Sequence, residues 1–136
     1  MAKFIGGQAT GARVAGKLGN AVKLSGSNEY VNLPTGIVSG LNDFTVSAWV
    51  NLGADPSWSR VFDFGTGTGD YMFLTNNGGG TGVRFAIQTG SGEQQLNANT
   101  HLPLNTWTHL AVTLSGNTGT LYINGNAPLV AYRGRR

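Results

Sequence analysis

The sequence predicts an all-β chain, and three observations lead to that prediction. Charged residues make up only 11% of the 136 positions and hydrophobic residues 40%, so the chain is too apolar to be disordered. Glycine occurs 22 times without a Gly-X-Y period, which excludes collagen and indicates many tight turns. Short apolar runs recur about every ten residues, which is the spacing of a sandwich or a barrel.

Nine segments carry the strand pattern, and the connections between them contain turn residues. In chain order, the segments are 20–26, 29–34, 43–52, 58–65, 70–77, 82–90, 93–99, 106–116 and 118–130. The segment 43–52 is the most apolar, so we expect it to be central, whereas the polar segment 93–99 is expected at an edge. Asn124-Gly125 predicts a type I′ hairpin turn inside the last segment.

Alternation along each strand divides the side chains between two faces, because successive side chains of a strand point to opposite sides. The residues predicted to face the core are Val46, Ala48, Phe62, Phe64, Phe73, Phe85, Ile87, Leu110, Val112, Leu114, Leu121 and Ile123. The residues predicted on the opposite faces are Trp49, Asp63, Arg84, Gln88, His109 and Tyr122. In two stacked sheets, these opposite faces meet solvent or a ligand.

Composition argues against several classes of function. The net charge is +3 and the basic residues are dispersed except in the tail 133–136, so we expect no nucleic-acid partner. Cysteine is absent, which rules out disulfides and thiolate metal sites. No apolar run is long enough for a membrane span, and the N-terminus lacks the apolar core of a signal peptide.

The acidic residues do not predict an enzyme. Glycosidases need two carboxyl groups roughly 5 Å apart for retention, or about 6.5–9.5 Å apart for inversion. No two acids lie at i, i+2 on one strand, although Asp63 and Asp70 could face each other across a hairpin. A catalytic set of Ser47, His109 and Asp63 lacks a G-x-S-x-G nucleophile motif.

Three fragments in this order carry a family resemblance: "GKLGNAVKLSGSNEYVNLP", "DFTVSAWVNL" and "WTHLAVTLSGNTGTLYINGN". Together they resemble the laminin-G-like (concanavalin A-like) jelly-roll domain over roughly residues 16–127. The resemblance implies a two-sheet antiparallel β-sandwich formed as one domain over 1–136, with 1–15 and 131–136 as tails. Such modules are appended to bacterial glycoside hydrolases and surface proteins, which implies an extracellular, surface or virion-associated location.

The usual opening and closing strands of that family are not recognisable in this chain. Unpaired strand edges recruit other strands, so we expect a homo-oligomer or a larger assembly. The leading interpretation is a non-catalytic module that binds carbohydrate as part of a larger extracellular protein or assembly. The alternative is a self-assembling structural protein, such as a virion-decoration or filament subunit, and a sandwich-fold glycanase is a weaker third interpretation.

Candidate ligand residues follow from the chemistry of sugars. Aromatic rings pack against sugar C–H groups, and planar amide or guanidinium groups bind hydroxyls. The candidates for a glycan ligand are Trp58, Arg60, Tyr71, Asn76, Asn77, Arg84 and Gln88. We interpret Trp49 as a packing residue, with Ser47, His109 and either Arg84 or Gln88 as its neighbours.

Calcium is the one cofactor that the resemblance implies. Laminin-G-like modules often hold a calcium ion near the rim of the sandwich, and calcium prefers oxygen ligands. The candidate ligands in this sequence are Asn42, Asp43 and Asp70.

Overall fold

The computed structural model describes residues 3–5, 13–27, 29–90 and 92–133, and the chain divides into two compact units, Met1–Ser39 and Gly40–Arg136. The strands described in the first unit are β1 (Lys3–Ile5), β2 (Arg13–Ala15), β3 (Asn20–Val22) and β4 (Tyr30–Asn32). Strand β1 pairs with β4 and β2 pairs with β3, both antiparallel. Strands β1 and β2 lie within 1–15, where the sequence analysis expects a tail.

The second unit contains two four-stranded antiparallel sheets. Its strands are β5 (Phe44–Val50), β6 (Arg60–Gly65), β7 (Asp70–Thr75), β8 (Arg84–Thr89), β9 (Glu93–Asn97), β10 (Thr108–Ser115), β11 (Thr118–Ile123) and β12 (Asn126–Arg133). Sheet I has the order β12-β11-β10-β5, and sheet II has the order β6-β7-β8-β9. The prediction of an all-β, two-sheet antiparallel sandwich is confirmed.

Alternating apolar residues of both sheets form the hydrophobic core of this unit. On β10, Leu110, Val112 and Leu114 are buried, while the residues between them are less buried. On sheet II, Leu74, Phe85 and Leu96 form one buried cross-strand row. Burying side chains of this size stabilises the fold by about 1.5–3 kcal/mol each, which makes the inner faces the main source of stability.

The predicted face of Phe73 is wrong. Residues paired directly across antiparallel strands share a face, and Phe73 pairs with Asp63 on one side and Ala86 on the other. The inner face of β7 instead carries Met72 and Leu74. Both faces of "YMFL" are apolar, so alternation could not distinguish them.

Two strand positions and one turn test the remaining predictions. Strand β5 lies at one end of the order of sheet I among the described strands, so its predicted central position is wrong. Strand β9 lies at one end of sheet II, as predicted for the polar segment. Asn124 and Gly125 both have positive φ, 50° and 80°, which confirms the predicted type I′ turn.

In the described part of the chain, no helix is long and apolar enough to span a membrane.

Candidate functional site

The outer face of sheet II brings most of the predicted ligand residues together, and we call it the aromatic face. It carries Trp58, Arg60, Tyr71, Phe73, Arg84 and Gln88, together with Glu93, Gln95 and Asn97 from β9. Strand register creates this surface, because Tyr71 pairs with Gln88 and Gln88 pairs with Glu93. One end of the face lies at the connection between β7 and β8, residues 76–83, and the other end lies at Glu93.

Phe73 forms the floor of the aromatic face and is only 5% exposed. The Arg60 guanidinium carbon lies 3.8 Å from the centre of its ring. The ring of Tyr71 stacks on it at 5.8 Å between centroids, and Trp58 approaches edge-on at 6.5 Å. Aromatic pairs in such arrangements contribute about 0.5–1.5 kcal/mol beyond the area they bury. Packing on Phe73 therefore helps to hold the Tyr71 and Trp58 rings in position.

A β-bulge directs Arg60 to this face. The register between β6 and β7 shifts between Arg60 and Phe62, so that Arg60 pairs with Thr75 on the outer side while Phe62 stays on the inner side. The Arg60 side chain then donates hydrogen bonds from Nε to Asp63 Oδ2 at 3.0 Å and from Nη1 to the Trp58 carbonyl at 2.8 Å. Asp63 therefore balances the charge of Arg60.

Trp58 is the most exposed aromatic ring of the aromatic face, with 46% of its surface accessible. Its backbone has φ 66°, in the left-handed region that costs a non-glycine residue about 1–2 kcal/mol. A hydrogen bond from its N–H to the Asn77 carbonyl, 2.8 Å long, holds this conformation. Gly79 lies against the ring, because a Cβ built there would be 2.9 Å from Trp58 Cζ2.

Arg84 occupies the same end of the face as Trp58. Its guanidinium carbon lies 5.2 Å from the centre of the Trp58 ring, within the range of a cation–π contact. Its Nε donates to Asn97 Oδ1 at 2.6 Å, and its Nη2 donates to Thr81 Oγ1 at 3.3 Å. No carboxylate forms an ion pair with Arg84 in the part of the chain that the structure describes.

Tyr71, Gln88 and Glu93 form a hydrogen-bonded group at the other end. The Tyr71 hydroxyl faces two acceptors, Glu93 Oε2 and Gln88 Oε1, the second at 3.1 Å. A hydroxyl donates one proton, so one of these oxygens stays available to a ligand donor. The hydrogen bond to Glu93 raises the pKa of Tyr71, burial and the Glu93 charge add to the increase, and Arg60 opposes it.

The other two predicted ligand residues, Asn76 and Asn77, hold the loops beside the face. Asn76 is 2% exposed, and its Oδ1 accepts a hydrogen bond from the Leu102 N–H at 2.7 Å. Asn77 donates from Nδ2 to the Asp55 carbonyl at 3.1 Å, and its Oδ1 accepts from the Gly80 N–H at 3.0 Å. The Asn77 amide therefore links the 76–83 connection to the segment before Trp58, and the Asn76 amide links it to Leu102.

Trp49 lies on sheet I beside His109, as predicted, but on a different sheet from Arg84 and Gln88. It pairs with His109 on sheet I, where the two rings meet edge-on at 5.1 Å, and Trp49 is 39% exposed. Arg84 and Gln88 belong to β8 of sheet II, so neither is a strand neighbour of Trp49. That part of the prediction is wrong, because the sequence alone did not assign strands to sheets.

Two of the predicted calcium ligands lie beside strands of different sheets. Asp43 precedes β5 of sheet I, and its Oδ1 accepts a hydrogen bond from the Gly116 N–H at 2.6 Å. Asp70 begins β7 of sheet II. Among the described residues there is no group of three or more His, Cys, Asp or Glu side chains that could hold a metal ion. The assignment of calcium to Asn42, Asp43 and Asp70 therefore stays a prediction.

The carboxylates of the aromatic face are far apart. Asp63 pairs with Phe73 and not with Asp70, so the two acids do not face each other across the hairpin. Asp63 is on β6 and Glu93 is on β9, at opposite edges of sheet II. Strands are spaced about 4.8 Å apart, which separates these edges by roughly 14 Å. Both glycosidase geometries require a shorter distance between carboxyl groups.

Strand β9 supplies polar partners that were not among the predicted ligand residues. Glu93, Gln95 and Asn97 alternate along the strand, and the Asn97 amide donates to Gln95 Oε1 at 3.3 Å. Their i, i+2, i+4 spacing is the signal that could have assigned them to one face beside Arg84 and Gln88.

Residues 25–129 match the concanavalin A-like lectin/glucanases superfamily, and the chain belongs to this family. This match covers most of the chain, including all of sheet II. No curated protein matches the sequence.

The solved structures that resemble the chain include the following two. Domain 4 of AbnA, a GH43 extracellular arabinanase from Geobacillus stearothermophilus in complex with arabinotriose, has a TM-score of 0.82 and 24% sequence identity. An S-layer domain-containing protein from Clostridium thermocellum, residues 221–444, has a TM-score of 0.59 and 39% identity. The match covers 91% of this chain and 58% of each of those chains, so this chain spans less than two thirds of their length.

Proposed function

We propose that this chain is a non-catalytic carbohydrate-recognition module that binds a glycan outside the cell on the aromatic face. The observation that carries the proposal is the exposed Trp58 indole, 46% accessible, which has the Arg60 and Arg84 guanidinium groups nearby and the Gln88 amide farther along the same face. An open aromatic ring flanked by planar polar groups is the chemistry that sugar C–H faces and hydroxyls require.

The backbone of Trp58 supports the proposal independently. A left-handed conformation at a tryptophan is unfavourable and persists only because surrounding contacts enforce it. Those contacts come from Asn77, which accepts the Trp58 N–H, and from Arg60, which donates to the Trp58 carbonyl. Strain of this kind clusters at binding sites, because the loop must present a side chain in a fixed orientation.

Comparison with known proteins favours a glycan ligand and an extracellular location. The arabinanase domain with the same fold is in complex with arabinotriose, and it belongs to an extracellular enzyme. The absence of catalysis is inferred from the carboxylates of the face, which are separated by roughly 14 Å and hydrogen-bonded to Arg60 and Tyr71.

Calorimetric titration against a panel of soluble polysaccharides tests the proposal, with Trp58→Ala as the site variant. Trp49→Ala is the matched control, since Trp49 is a comparably exposed tryptophan of sheet I. We expect Trp58→Ala to weaken binding at least tenfold, which corresponds to about 1.4 kcal/mol, and Trp49→Ala to leave it unchanged. Absence of binding to every polysaccharide, or loss of binding only in Trp49→Ala, would refute the proposal.

A structural role in a surface assembly is the second candidate, and the 39% identity to an S-layer domain-containing protein is the observation that favours it. Strand β9 ends sheet II, and an end strand can pair with a second copy. Light scattering over a range of concentrations distinguishes this candidate, because a self-assembling subunit forms a defined oligomer. A monomer at all concentrations argues against it.

A further inference from the structure

We propose that the glycan carries a uronic acid and that Arg84 binds its carboxylate beside the Trp58 ring. This inference rests on the proposed carbohydrate-binding function and specifies the class of ligand. Its starting point is the unequal state of the two arginines of the aromatic face. Arg60 has the Asp63 carboxylate at 3.0 Å, whereas the hydrogen-bond partners of Arg84 are the neutral groups of Asn97 and Thr81.

The hydrogen bonds of Arg84 determine which edge of its guanidinium can meet a ligand. Asn97 accepts the Nε hydrogen, and Thr81 accepts one Nη2 hydrogen. The terminal edge, formed by Nη1 and the second Nη2 hydrogen, stays available, and this pair of donors fits the two oxygens of a carboxylate. The side chain is already oriented by its neighbours, so binding orders few additional rotamers.

The position of Trp58 explains why the anion would belong to a sugar. The Arg84 guanidinium carbon lies 5.2 Å from the centre of the indole ring. A sugar ring that packs on the indole through its C–H groups can therefore direct a carboxylate substituent towards Arg84. A free carboxylate would use the charge of Arg84 alone and leave the exposed indole uncovered.

The charges along the face favour one acidic sugar among neutral ones. Glu93 pairs with Gln88, and Arg84 lies four positions before Gln88 on β8. At about 3.3 Å per residue, the cationic and anionic ends of the face are roughly 13 Å apart. A heavily charged glycan would bring anionic groups towards Glu93, whereas neutral hydroxyls can bind there and at Gln88.

The test compares an acidic ligand with its own neutral form. The probes are xylotriose carrying a single glucuronic acid, the corresponding arabino-oligosaccharide carrying a single galacturonic acid, and the methyl ester of each, titrated by calorimetry. We expect at least one acid to bind about tenfold more tightly than its ester, because the ester cannot form the charge-assisted pair of hydrogen bonds with the guanidinium group. High salt should reduce this preference and leave ester binding nearly unchanged.

Three variants assign the preference to Arg84. Arg84→Gln should remove the difference between acid and ester, and Arg84→Lys should keep part of the difference because it retains the charge without the paired donors. Arg60→Gln removes the same charge from the same face, and the difference between acid and ester should survive it, because Asp63 already neutralises Arg60. Thermal unfolding of each variant verifies that it is folded.

The possible results separate this inference from the proposed function. An acid that binds no better than its ester, or a preference that survives Arg84→Gln, overturns the uronate assignment. Binding of neutral polysaccharides without binding of either acidic probe also overturns it and leaves the carbohydrate-recognition function standing. Failure of every glycan to bind overturns both.

Discussion

Substituting Gly79 by alanine should disturb the glycan site through the Trp58 ring. A Cβ at Gly79 would lie 2.9 Å from Trp58 Cζ2, and ordinary van der Waals contact begins at 3.4 Å. The indole must therefore move away from residue 79 by about 0.5 Å. A contact that lengthens by this amount loses about a quarter or more of its dispersion energy. Its edge-on packing against Phe73 and its contact with Arg84 weaken together.

Gly80→Ala provides a control in the same loop. Gly80 also has positive φ, 95° against 67° for Gly79, but a Cβ there meets nothing within 4 Å. Both variants should lose about 1–2 kcal/mol of folding free energy, because alanine is disfavoured in the left-handed region. Gly80→Ala should therefore lower the melting temperature by on the order of 3–8 °C, and Gly79→Ala should lower it further because the contacts of Trp58 also weaken.

Glycan affinity should distinguish the two variants more sharply than their stability does. We expect Gly79→Ala to weaken binding about three- to tenfold, equivalent to about 0.7–1.4 kcal/mol, and Gly80→Ala to change it less than twofold. Titration calorimetry measures the affinity, and differential scanning calorimetry measures the stability. Equal losses of affinity in both variants would refute the argument that the position of the Trp58 ring controls binding.

Two further predictions concern ionisation and the 76–83 connection. Glu93→Gln should lower the pKa of Tyr71, because its acceptor loses its charge. Because the folded pKa of Tyr71 is raised, its interactions stabilise the fold fully below the unfolded pKa of about 10, and this stabilisation is lost as pH rises through the folded pKa. Ultraviolet titration measures the pKa of Tyr71, and alkaline unfolding measures the loss of stability. Gly82→Ala should destabilise the protein by more than about 2 kcal/mol, because its Cβ would lie 2.2 Å from the Thr100 carbonyl oxygen. Gly90→Ala is the control: Gly90 has φ 82° and nothing within 4 Å of its Cβ position, so alanine there should cost only the left-handed strain. Denaturant unfolding compares the two variants, and equal losses of stability would contradict the clash.

Local patterns predicted most of the strands of sheets I and II. The alternation of Leu110, Val112 and Leu114 with smaller or polar residues assigns the inner face of β10, because side chains of a strand alternate strictly. The dipeptide Asn124-Gly125 predicts the turn, because a type I′ turn requires positive φ at both central positions and Asn and Gly adopt it readily. These features depend on neighbouring residues in the sequence and need no knowledge of the partner strand.

The aromatic face could be predicted only in part. Tyr71, Arg84 and Gln88 were recognised by residue type, yet the floor residue Phe73 was assigned to the core face. In "YMFL", either choice buries two apolar side chains, so burial alone gives no preference. Pairing with Asp63 and Ala86 decides the face, and that register depends on residues distant in the sequence.

The sequence by itself determined an all-β sandwich of short antiparallel strands and the residue types available to a ligand, since periodicity and turn propensity are local properties. Tertiary structure alone decided which of those residues meet. The bulge before Phe62 turned Arg60 outward onto Phe73, and sheet membership separated Trp49 from Arg84. Bulges and sheet assignment arise from strand pairing over long sequence separations, where many registers satisfy the same local pattern until packing selects one.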